Sequence, residues 1–533
     1  MNVPPAFTDA ESTAIAPYFT NLDKPVFALV NLPETVKGAL FARYSRASKP
    51  LRRLFIDEFQ QNVAATAPLE STVGLERAER LYQRVFNEYG DDSVAQLGGV
   101  HLAVEDASNI LTKVLERGRL MAYLEQSTRY IPYTERRGDH WRYLVPAELD
   151  GHPLRARFVE TMDAAFATYA RLIDPMRELF ERRHPKASGD SDAVYRSAIR
   201  AKALDTLRGL LPAATQSNVG IYGTGQGYEA LLLRMRAHPL LEVRATADVM
   251  LAELRKVIPA FLTRVDQPDR GGRWTTYFAD IREQVRAIAA RVEGEHGAPA
   301  PVDEVTLTGF DPEGEIKVVA AALYTSTSLS DAELLAAARQ MSVADRDAVL
   351  RAYVGERGNR RHKPGRAFER TSYRFDVLSD YGAFRDLQRH RLLTIDWQSL
   401  TPNHGYSQPD AVIEAGAGAE WIDVMERSAA LFDALTSNGF AAAAQYAVSM
   451  AYRVRYVMDM NAREAMHVIE LRTAPAGHPA YRRVCQQMHR RIADVAGHRA
   501  IAAAMTFADH SVVELERLQE ERRLEAKRLT HRP

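Results

Sequence analysis

Apolar residues recur at steps of three and four along two stretches of the first half of the chain, from about residue 153 to 181 and again from 192 to 210. In the first stretch the recurring positions are Phe158, Met162, Phe166, Tyr169 and Leu172. This spacing places apolar side chains on one face of a helix. We therefore predict two long helices, in an insertion of about residues 150–205, whose apolar faces pack into a core.

A second pattern, a short apolar run followed by a turn and the start of a helix, occurs once in each half. The runs begin at Val26 and at Val305, and each leads to a Pro-Glu pair, residues 33–34 in the first half and 312–313 in the second. Apolar runs that are bounded by turn residues predict β-strands. Their recurrence indicates that the chain contains an internal repeat.

Residues 294–301 are rich in Gly, Pro and Ala and show no periodicity, which is typical of a linker. We place a domain boundary there, which gives one domain over residues 1–298 and a second over 299–533. The second domain ends in residues 515–529, a segment dense in Glu and Arg. This segment predicts a charged helix that is either solvated or covers an oligomer contact.

The composition is that of an ordinary globular protein with room for two or three domains: of 533 residues, 46% are hydrophobic and 26% charged. Lys and Arg together number 69, as do Asp and Glu, so no overall field favours nucleic acid or an anionic membrane. The single cysteine, Cys485, excludes an internal disulfide and fits a reducing compartment. The sequence has no leader-like or membrane-spanning run, and we expect a cytoplasmic protein.

The candidate chemistry lies in a motif that occurs twice. Residues 389–391 read Arg-His-Arg, and Ser399 follows after seven residues. Residues 117–119 read Arg-Gly-Arg, and Ser127 follows after the same interval. The first copy alone has the sequence Glu-Gln-Ser-Thr-Arg-Tyr around its serine, and the second alone has the central histidine. Each copy thus keeps residues that the other has lost.

This pattern resembles the signature of the flavin-dependent thymidylate synthases (ThyX), in which an Arg-His-Arg triplet precedes a serine by the same interval. The first copy also resembles the Glu-x-Ser-x-Arg-Tyr part of that signature. The chain therefore resembles a tandem fusion of two diverged domains of this family. The resemblance implies an α/β (α+β) fold that is helix-rich overall, with a central, mainly antiparallel sheet and a long helical layer in each half.

The first copy offers a compact set of donors and acceptors within thirteen positions: Arg117, Arg119, Glu125, Ser127 and Arg129. Guanidinium groups bind phosphate bidentately and a serine hydroxyl adds one more bond, so a nucleoside monophosphate is a natural ligand. On an extended backbone, positions 125, 127 and 129 would point to one side. The resemblance adds two nucleotide contacts: Arg208, in an Arg-x-x-Leu-Pro segment, and, more loosely, Arg234 or Arg236.

The second copy preserves positions that contact the flavin in this family. By resemblance, the cofactor-binding residues are Glu369, Arg389, His390, Arg391, Asn461 and His467. Asn461 opens an Asn-x-Arg segment whose helix ends at Arg472, eleven residues later. Three helical turns separate these two residues, which therefore face one side. The resemblance gives Arg389 and Arg472 the catalytic role of polarising or anchoring the substrate.

Each half also departs from the family pattern. The second has Gln445 where a nucleotide-binding arginine is expected, and the first has Gly118 where the histidine is expected. Family members are homotetramers whose sites are assembled from several subunits. The fused halves would then divide the labour, the first holding nucleotide and the second flavin, in a homodimer that mimics the tetramer. If Arg129 and His390 do not meet in one pocket, this shared-site hypothesis fails.

The resemblance implies an FAD-dependent methyltransferase that converts dUMP to dTMP, with methylenetetrahydrofolate as carbon donor and NADPH as reductant. Two alternatives stay open: methylation of another pyrimidine nucleotide, since Gln445 and Trp397 would reshape the pocket, and a non-catalytic nucleotide- or flavin-binding protein. We expect no metal, because the histidines show no ligand spacing, and no thiolate nucleophile, because Cys485 has no nearby base in the sequence. The expected partner is a small-molecule nucleotide.

Overall fold

The computed structural model describes residues 7–23, 27–44, 50–58, 96–129, 131–296, 302–515 and 517–530. They fall into two units. The first contains the described residues of Met1–Glu105, Gly118–Glu125 and Asn218–Gly297, and the second contains those of Asp106–Arg117, Gln126–Ser217 and Ala298–Pro533. Part of the first motif and the insertion therefore belong to the same unit as the second half of the chain. The boundary near residue 298 remains a prediction.

The described residues contain nine strands in three sheets. The strands are β1 (Gly99–Ser108), β2 (Ala122–Glu125), β3 (Arg136–Arg137), β4 (His140–Trp141), β5 (Gln216–Thr224), β6 (Val305–Phe310), β7 (Ser372–Asp380), β8 (Thr394–Trp397) and β9 (Arg453–Asn461). One sheet has the order β1-β5-β2, another the order β6-β7-β9-β8, and β3 pairs with β4. β2 runs antiparallel to β5, and β9 runs antiparallel to both β7 and β8.

Helices make up most of the rest of the described chain. They are α1 (Asp9–Ile15), α2 (Glu34–Tyr44), α3 (Leu51–Glu58), α4 (Asn109–Leu115), α5 (Leu154–Arg183), α6 (Asp192–Leu207), α7 (Gly225–Arg236), α8 (Leu241–Arg255), α9 (Arg273–His296), α10 (Gly314–Tyr324), α11 (Asp331–Gln340), α12 (Val343–Val354), α13 (Tyr381–Leu387), α14 (Asp410–Glu414), α15 (Gly418–Ser437), α16 (Ala441–Ala444), α17 (Ala462–Arg472), α18 (Pro479–Asp494), α19 (Arg499–Ala504) and α20 (Leu518–Thr530). The predicted helix-rich α+β fold is confirmed. Within the described ranges, no helix combines the length and the apolar character that crossing a bilayer requires.

The internal repeat is visible in the order of these elements. β1 leads into α4 and β7 into α13, and the side chains of Ser108 and Asp380 at the two junctions each accept a backbone N–H from the first turn of the helix. β5 leads into α7 and β9 into α17, with Thr224 and Asn461 as the equivalent caps. The strand orders β1-β5-β2 and β7-β9-β8 correspond one to one. The tandem fusion predicted from the motifs is therefore confirmed.

Two short turns show how closely the repeats match. Arg208 follows α6 and Gln445 follows α16, and each begins a 3-10 turn. Their backbone dihedrals agree, with φ −56° and ψ −22° at Arg208 and φ −57° and ψ −30° at Gln445. The segments that follow, 211–213 and 448–450, pair through backbone hydrogen bonds of 2.8 and 2.9 Å. Gln445 is thus the structural counterpart of Arg208.

The helices predicted from apolar spacing are confirmed as α5 and α6. Phe158, Phe166 and Tyr169 on α5 are fully buried, as the periodicity required. The charged C-terminal segment forms α20. This helix is not solvated on all sides, because Arg522 donates to both carboxylate oxygens of Asp190, at 2.5 and 2.8 Å.

Three local expectations need correction or restriction. The segment 294–301 is not wholly a linker, since α9 continues to His296; residues 297–301 lie outside the described residues. Positions 125–129 do not form one extended run, because a turn follows β2 and the Ser127 hydroxyl accepts the Arg129 N–H at 3.3 Å. Val26 also lies outside the described residues, and of the run that it begins only an isolated bridge at Leu29 is seen.

Candidate active site

The helices that precede the two copies of the motif lie side by side in the second unit. α4 and α13, the helices that precede the two motifs, are joined by hydrogen bonds from side chains to backbone carbonyls. The Tyr381 hydroxyl donates to Asn109 O at 3.0 Å, and the Gln388 amide donates to Lys113 O at 3.2 Å. All four residues are buried. Buried hydrogen bonds of this kind hold the two motif helices in a fixed relation.

Asp386, in the last turn of α13, is the centre of a cluster of arginines from both repeats. Its carboxylate accepts a hydrogen bond from Arg389 and lies 3.6 Å from Nη1 of Arg472 and 3.7 Å from Nη1 of Arg208. Arg472 also donates from Nη2 to the backbone O of Asp386 at 2.5 Å. The Asp386 carboxylate therefore contacts Arg208, which is predicted to bind nucleotide, as well as Arg389 and Arg472, which are predicted to act in catalysis.

Arg129 joins this cluster through Asp205 and Tyr481. Its Nε donates to Oδ2 of Asp205 at 2.6 Å, and its Nη1 donates to the Tyr481 hydroxyl at 3.5 Å. The guanidinium of Arg472 lies 5.4 Å from the centre of the same tyrosine ring. Arg472 in turn hydrogen-bonds His390. Arg129 and His390 are thus linked through Tyr481 and Arg472, but neither lines the cavity described below, so that they share one pocket remains a prediction.

The charges within this cluster do not cancel. Burial alone would raise the pKa of the Asp386 carboxyl, but Arg389, Arg472 and Arg208 outweigh that effect and hold its pKa well below its ordinary value. Asp386 is therefore ionised at working pH. Four arginines face the two carboxylates of Asp386 and Asp205, so these six residues keep two positive charges in excess. Such an excess favours an anionic ligand.

His390 is buried beside Arg472. Its Nε2 accepts a hydrogen bond from Nε of Arg472 at 2.9 Å, which leaves the proton of a neutral ring on Nδ1, 3.7 Å from Oε1 of Glu464. Burial lowers the pKa of His390 to about 4, and Arg472 adds to this effect while Glu464 opposes it. At neutral pH His390 is therefore an uncharged group that holds the catalytic candidate Arg472 in place.

Glu464 lies between two histidines, with Oε2 3.2 Å from Nδ1 of His467. Burial would raise the pKa of Glu464, but its hydrogen bonds with His390 and His467 lower that pKa to about 2. The three side chains offer ligand atoms within 4.8 Å of one another, a spacing that a metal ion accepts. The guanidinium of Arg472 against His390 disfavours a cation here. We therefore interpret Glu464 as the anion that orients both imidazoles.

Neutral His390 gives the stability of the fold a dependence on pH. The folded pKa of His390, about 4, lies below the ordinary value of 6.5. Between these two pH values the unfolded chain therefore binds a proton at His390 that the folded chain does not bind. The stabilisation is present above pH 6.5 and is lost as the pH falls toward 4. Between pH 7 and 5 the loss amounts to about 2 kcal/mol. Urea unfolding of His390→Gln at these two pH values should show a decrease smaller than that of the wild type by this amount.

The contributions of other histidines must be separated from that of His390 in this measurement. Burial also lowers the pKa of five further histidines, which all contribute to the wild-type decrease: His238, His404, His478, His498 and His510. Only the difference between variant and wild type reports on His390. Above pH 7 the two proteins should respond to pH in parallel. Equal slopes between pH 7 and 5 would mean that the pKa of His390 is the same in the folded and the unfolded chain.

Arg208 also lines a cavity of about 670 Å³ in the second unit. Small-molecule sites typically measure about 300–1,000 Å³. Phe180, Trp421 and Met450 give the cavity an apolar wall. Buried atoms with no hydrogen-bond partner among the described residues occur on three lining side chains: Nη2 of Arg208, Oδ1 of Asp205 and Nε1 of Trp421. A cavity lined by such residues suits a ligand with one polar and one flat apolar part.

The other candidates of the first motif have different surroundings. Arg117 is half exposed, pairs with Asp396 of the second motif at 2.7 Å and lies over the Trp397 ring at 5.2 Å. Ser127 stabilises the turn before Arg129. Three further nucleotide candidates belong to the first unit: exposed Arg119, buried Glu125 at the end of β2, and Arg234 in the last turn of α7. Their roles remain predictions.

Two of the flavin candidates, Asn461 and Glu369, lie at the start of α17. Oδ1 of Asn461 caps this helix by accepting the Glu464 N–H at 2.9 Å. Arg463 donates to Pro364 O at 2.9 Å and lies 3.5 Å from Oε1 of Glu369. Arg391 is exposed after α13. Asn461 thus fixes the backbone at the start of α17, and Glu369 holds the guanidinium of Arg463.

Sequence analysis missed the carboxylates that organise the site. Asp205 precedes Arg208 by three residues and Asp386 precedes Arg389 by three residues. Residues at this spacing are neighbours on a helix, so an acidic residue one turn before a motif arginine was a usable signal. Glu464 follows Asn461 by the same interval, and its backbone N–H donates to the capping side chain of Asn461.

Comparison with known proteins gives two matches to one family model. The model described as thymidylate synthase complementing protein (Thy1) matches residues 38–260 and again residues 306–497. These segments correspond to the two repeats. A UPF0159 protein of Chlamydia muridarum is 36% identical over 526 residues, which cover 98% of this chain and 99% of that protein. The tandem organisation is therefore shared with a full-length relative.

Two further proteins match parts of the chain. A flavin-dependent thymidylate synthase of Mycobacterium sp. (strain JLS) is 30% identical over 182 residues, which cover 34% of this chain and 67% of that protein. The solved structure of PolB, a UMP/dUMP methylase from Streptomyces cacaoi, covers 37% of this chain and 94% of its own length, with 19% identity and a TM-score of 0.28.

Proposed function

This chain belongs to the thymidylate synthase complementing protein (Thy1) family, and on that premise we propose that it methylates a pyrimidine nucleotide as a flavin-dependent thymidylate synthase does. The proposed reaction converts dUMP to dTMP with FAD as cofactor, methylenetetrahydrofolate as carbon donor and NADPH as reductant. The observation that carries the proposal is the Asp386 cluster, where arginines of both repeats meet beside a buried neutral histidine.

The nucleotide would enter the cavity that Arg208 lines. A guanidinium group matches the geometry of a phosphate monoester, and Nη2 of Arg208 is a buried donor without a hydrogen-bond partner in the described chain. Phe180 and Trp421 provide aromatic surface for the base and sugar. Arg129, held by Asp205, would supply positive charge behind this arginine. The phosphate is thus the group that this side of the cluster would recognise.

The second repeat would hold the flavin. Arg389 and Arg391 carry the positive charge that a diphosphate needs, and His390 offers a neutral ring, so the donor set fits FAD. When bound, FAD would supply the hydride that completes the methyl group. Arg472 would contribute a guanidinium whose direction is set by His390 and by the backbone O of Asp386. Held in this way, it can polarise a uracil carbonyl.

A cysteine nucleophile has no place in this proposal. Cys485 is fully buried in α18, and burial raises the pKa of its thiol to about 12. The thiol stays protonated at neutral pH, and a protonated thiol is not a nucleophile. Activation of the pyrimidine ring would therefore fall to Arg389 and Arg472.

One nucleotide site per chain follows from the asymmetry of the repeats. Gln445 stands where Arg208 stands in the first repeat, but its Oε1 accepts the Leu400 N–H at 3.1 Å and its Nε2 donates to Ala442 O at 3.2 Å. A neutral amide committed in this way does not replace a phosphate-binding arginine. Two chains, as a homodimer, would then carry two sites and mimic the tetramer of the single-copy enzymes.

The first test is a visible absorption spectrum of the purified chain after FAD has been added and the excess removed. We expect retained flavin whose bands shift when dUMP is added, which places both ligands in one site. A tritium-release assay with labelled dUMP, methylenetetrahydrofolate and NADPH should then show turnover. A band shift with UMP or dCMP but not with dUMP would favour another pyrimidine acceptor. Absence of retained flavin would contradict the enzymatic proposal.

A further inference from the structure

Helix α9 exposes an apolar stripe that nothing in the described chain covers. None of its residues from Arg273 to His296 is buried. Six apolar side chains along it are each between 40% and 60% exposed: Trp274, Tyr277, Ile281, Val285, Ile288 and Val292. An isolated helix in water gains little stability from its own hydrogen bonds and depends on packing of its apolar face. A 24-residue helix with this surface therefore indicates a partner.

The stripe has the spacing of a coiled-coil seam. The positions Trp274, Phe278, Ile281, Val285, Ile288 and Val292 alternate steps of four and three; five of them belong to the exposed stripe, and Phe278 is half-buried. Sustained alternation of this kind is the heptad pattern of paired helices, and β-branched residues such as these pack well at its core positions. The helix also lies between the two segments that match the family model, 38–260 and 306–497. Its surface is thus an addition to the repeats.

We propose that α9 pairs in antiparallel orientation with α9 of a second copy of this chain. An antiparallel register that sets Ile281 opposite Val285 of the other copy also sets Phe278 opposite Ile288 and Trp274 opposite Val292. Every core layer over about 27 Å is then apolar, because the seam is complementary to itself under a two-fold axis. This pairing is independent of the proposed function, since it uses no residue of the active site.

The antiparallel orientation of the two helices is favoured by the charges near their ends and by their dipoles. In the antiparallel register Arg273, at the start of one helix, comes to the same height as Glu293 of the other, and the helix dipoles oppose. A parallel pair would instead place Trp274 opposite itself and like helix ends together. A membrane surface is a poorer occupant, because two apolar rows form a narrow seam rather than the wide face of an interfacial helix.

Mass measurements on the full chain test the surface. Ile281→Glu/Val285→Glu puts charge into two core layers, whereas Ala287→Glu/Ala290→Glu adds the same charge to exposed positions outside the stripe. We expect sedimentation at micromolar concentration to give the wild type and the control the same mass and the stripe variant half of it. Circular dichroism should show that the stripe variant remains folded. A monomeric wild type, an unchanged mass, or global unfolding of the stripe variant would overturn the proposal.

Cysteine cross-linking tests the register. Disulfides need Cα atoms no more than about 7 Å apart. Ile281→Cys mixed with Val285→Cys should therefore give an oxidised dimer that joins position 281 to position 285. Neither variant alone should cross-link, because each position is displaced from its own copy along the antiparallel pair. Cys485 does not interfere, because it is fully buried. Efficient cross-linking of each single variant with itself would show parallel pairing and overturn the proposal, as would binding of wild-type α9 to anionic phospholipid vesicles in place of self-association.

Discussion

Replacing Asp386 by asparagine is expected to lower the free energy of unfolding by about 3–5 kcal/mol, the usual cost of removing one partner from a buried ionic group. The change keeps the size of the side chain and removes only its charge. Arg389, Arg472 and Arg208 would then face one another at close range with Asp205 as the remaining carboxylate of the cluster. Repulsion among these guanidinium groups, rather than a cavity, is the cause of the expected loss.

Urea unfolding followed by far-ultraviolet circular dichroism measures this loss. Asp423→Asn is the matched control, because Asp423 pairs with Arg427 at 2.8 Å on the exposed side of α15, where an ion pair contributes at most about 1 kcal/mol. The pKa of Asp386 is lowered in the fold, so its contribution is present above the unfolded value of about 4 and is lost as the pH falls below it. The difference between wild type and Asp386→Asn should therefore shrink in acid. A loss no greater than that of the control would show that Asp386 does not organise the arginines.

The sequence indicated which arginines belong together but not what joins them. Arg208, Arg389 and Arg472 were found because the family motifs name them. Asp386 and Asp205 were not: their spacing marks each as a helical neighbour of one motif arginine, but their contacts with Arg472 and Arg129 depend on the packing of segments far apart in the chain. The pairing of Arg129 with Tyr481, 352 residues away, is of the same kind. Residues that belong to motifs can thus be predicted from the sequence. The charged residues that surround them can be identified only once the fold is known.

The same division holds for the secondary structure. α5 and α6 follow from apolar periodicity, because burial of one face is what fixes a long helix in place. The turn at Ser127 depends on one hydrogen bond to the Arg129 N–H, and alternation of polar residues in the sequence did not reveal it. α9 extends into a segment that composition marked as a linker, since its Gly and His lie within the last turn of a helix. Composition is a weaker guide than periodicity where the two conflict.

Arg208→Gln should weaken dUMP binding about 10- to 100-fold while leaving FAD binding unchanged. A hydrogen bond to a charged group contributes about 1.5–3 kcal/mol, and each 1.4 kcal/mol is a factor of ten in affinity. The substitution copies what the chain itself carries at Gln445, on a backbone with the same dihedrals, so it introduces no conformational conflict. Titration of the flavin spectrum with dUMP gives the dissociation constant, and the retained FAD absorbance gives the cofactor content.

Arg483→Gln is the control for charge alone. Arg483 also lines the cavity, but Glu304 already holds its guanidinium through bonds of 2.7 and 2.9 Å, so its loss should change dUMP affinity less than threefold, roughly the effect of a screened surface charge. If Arg208→Gln and Arg483→Gln weaken binding equally, the cavity attracts nucleotide by its general field and Arg208 is not the phosphate ligand. If Arg208→Gln instead removes FAD, the two repeats share both ligands. A selective loss of dUMP is the result that would assign the phosphate to the first repeat and leave the flavin with the second.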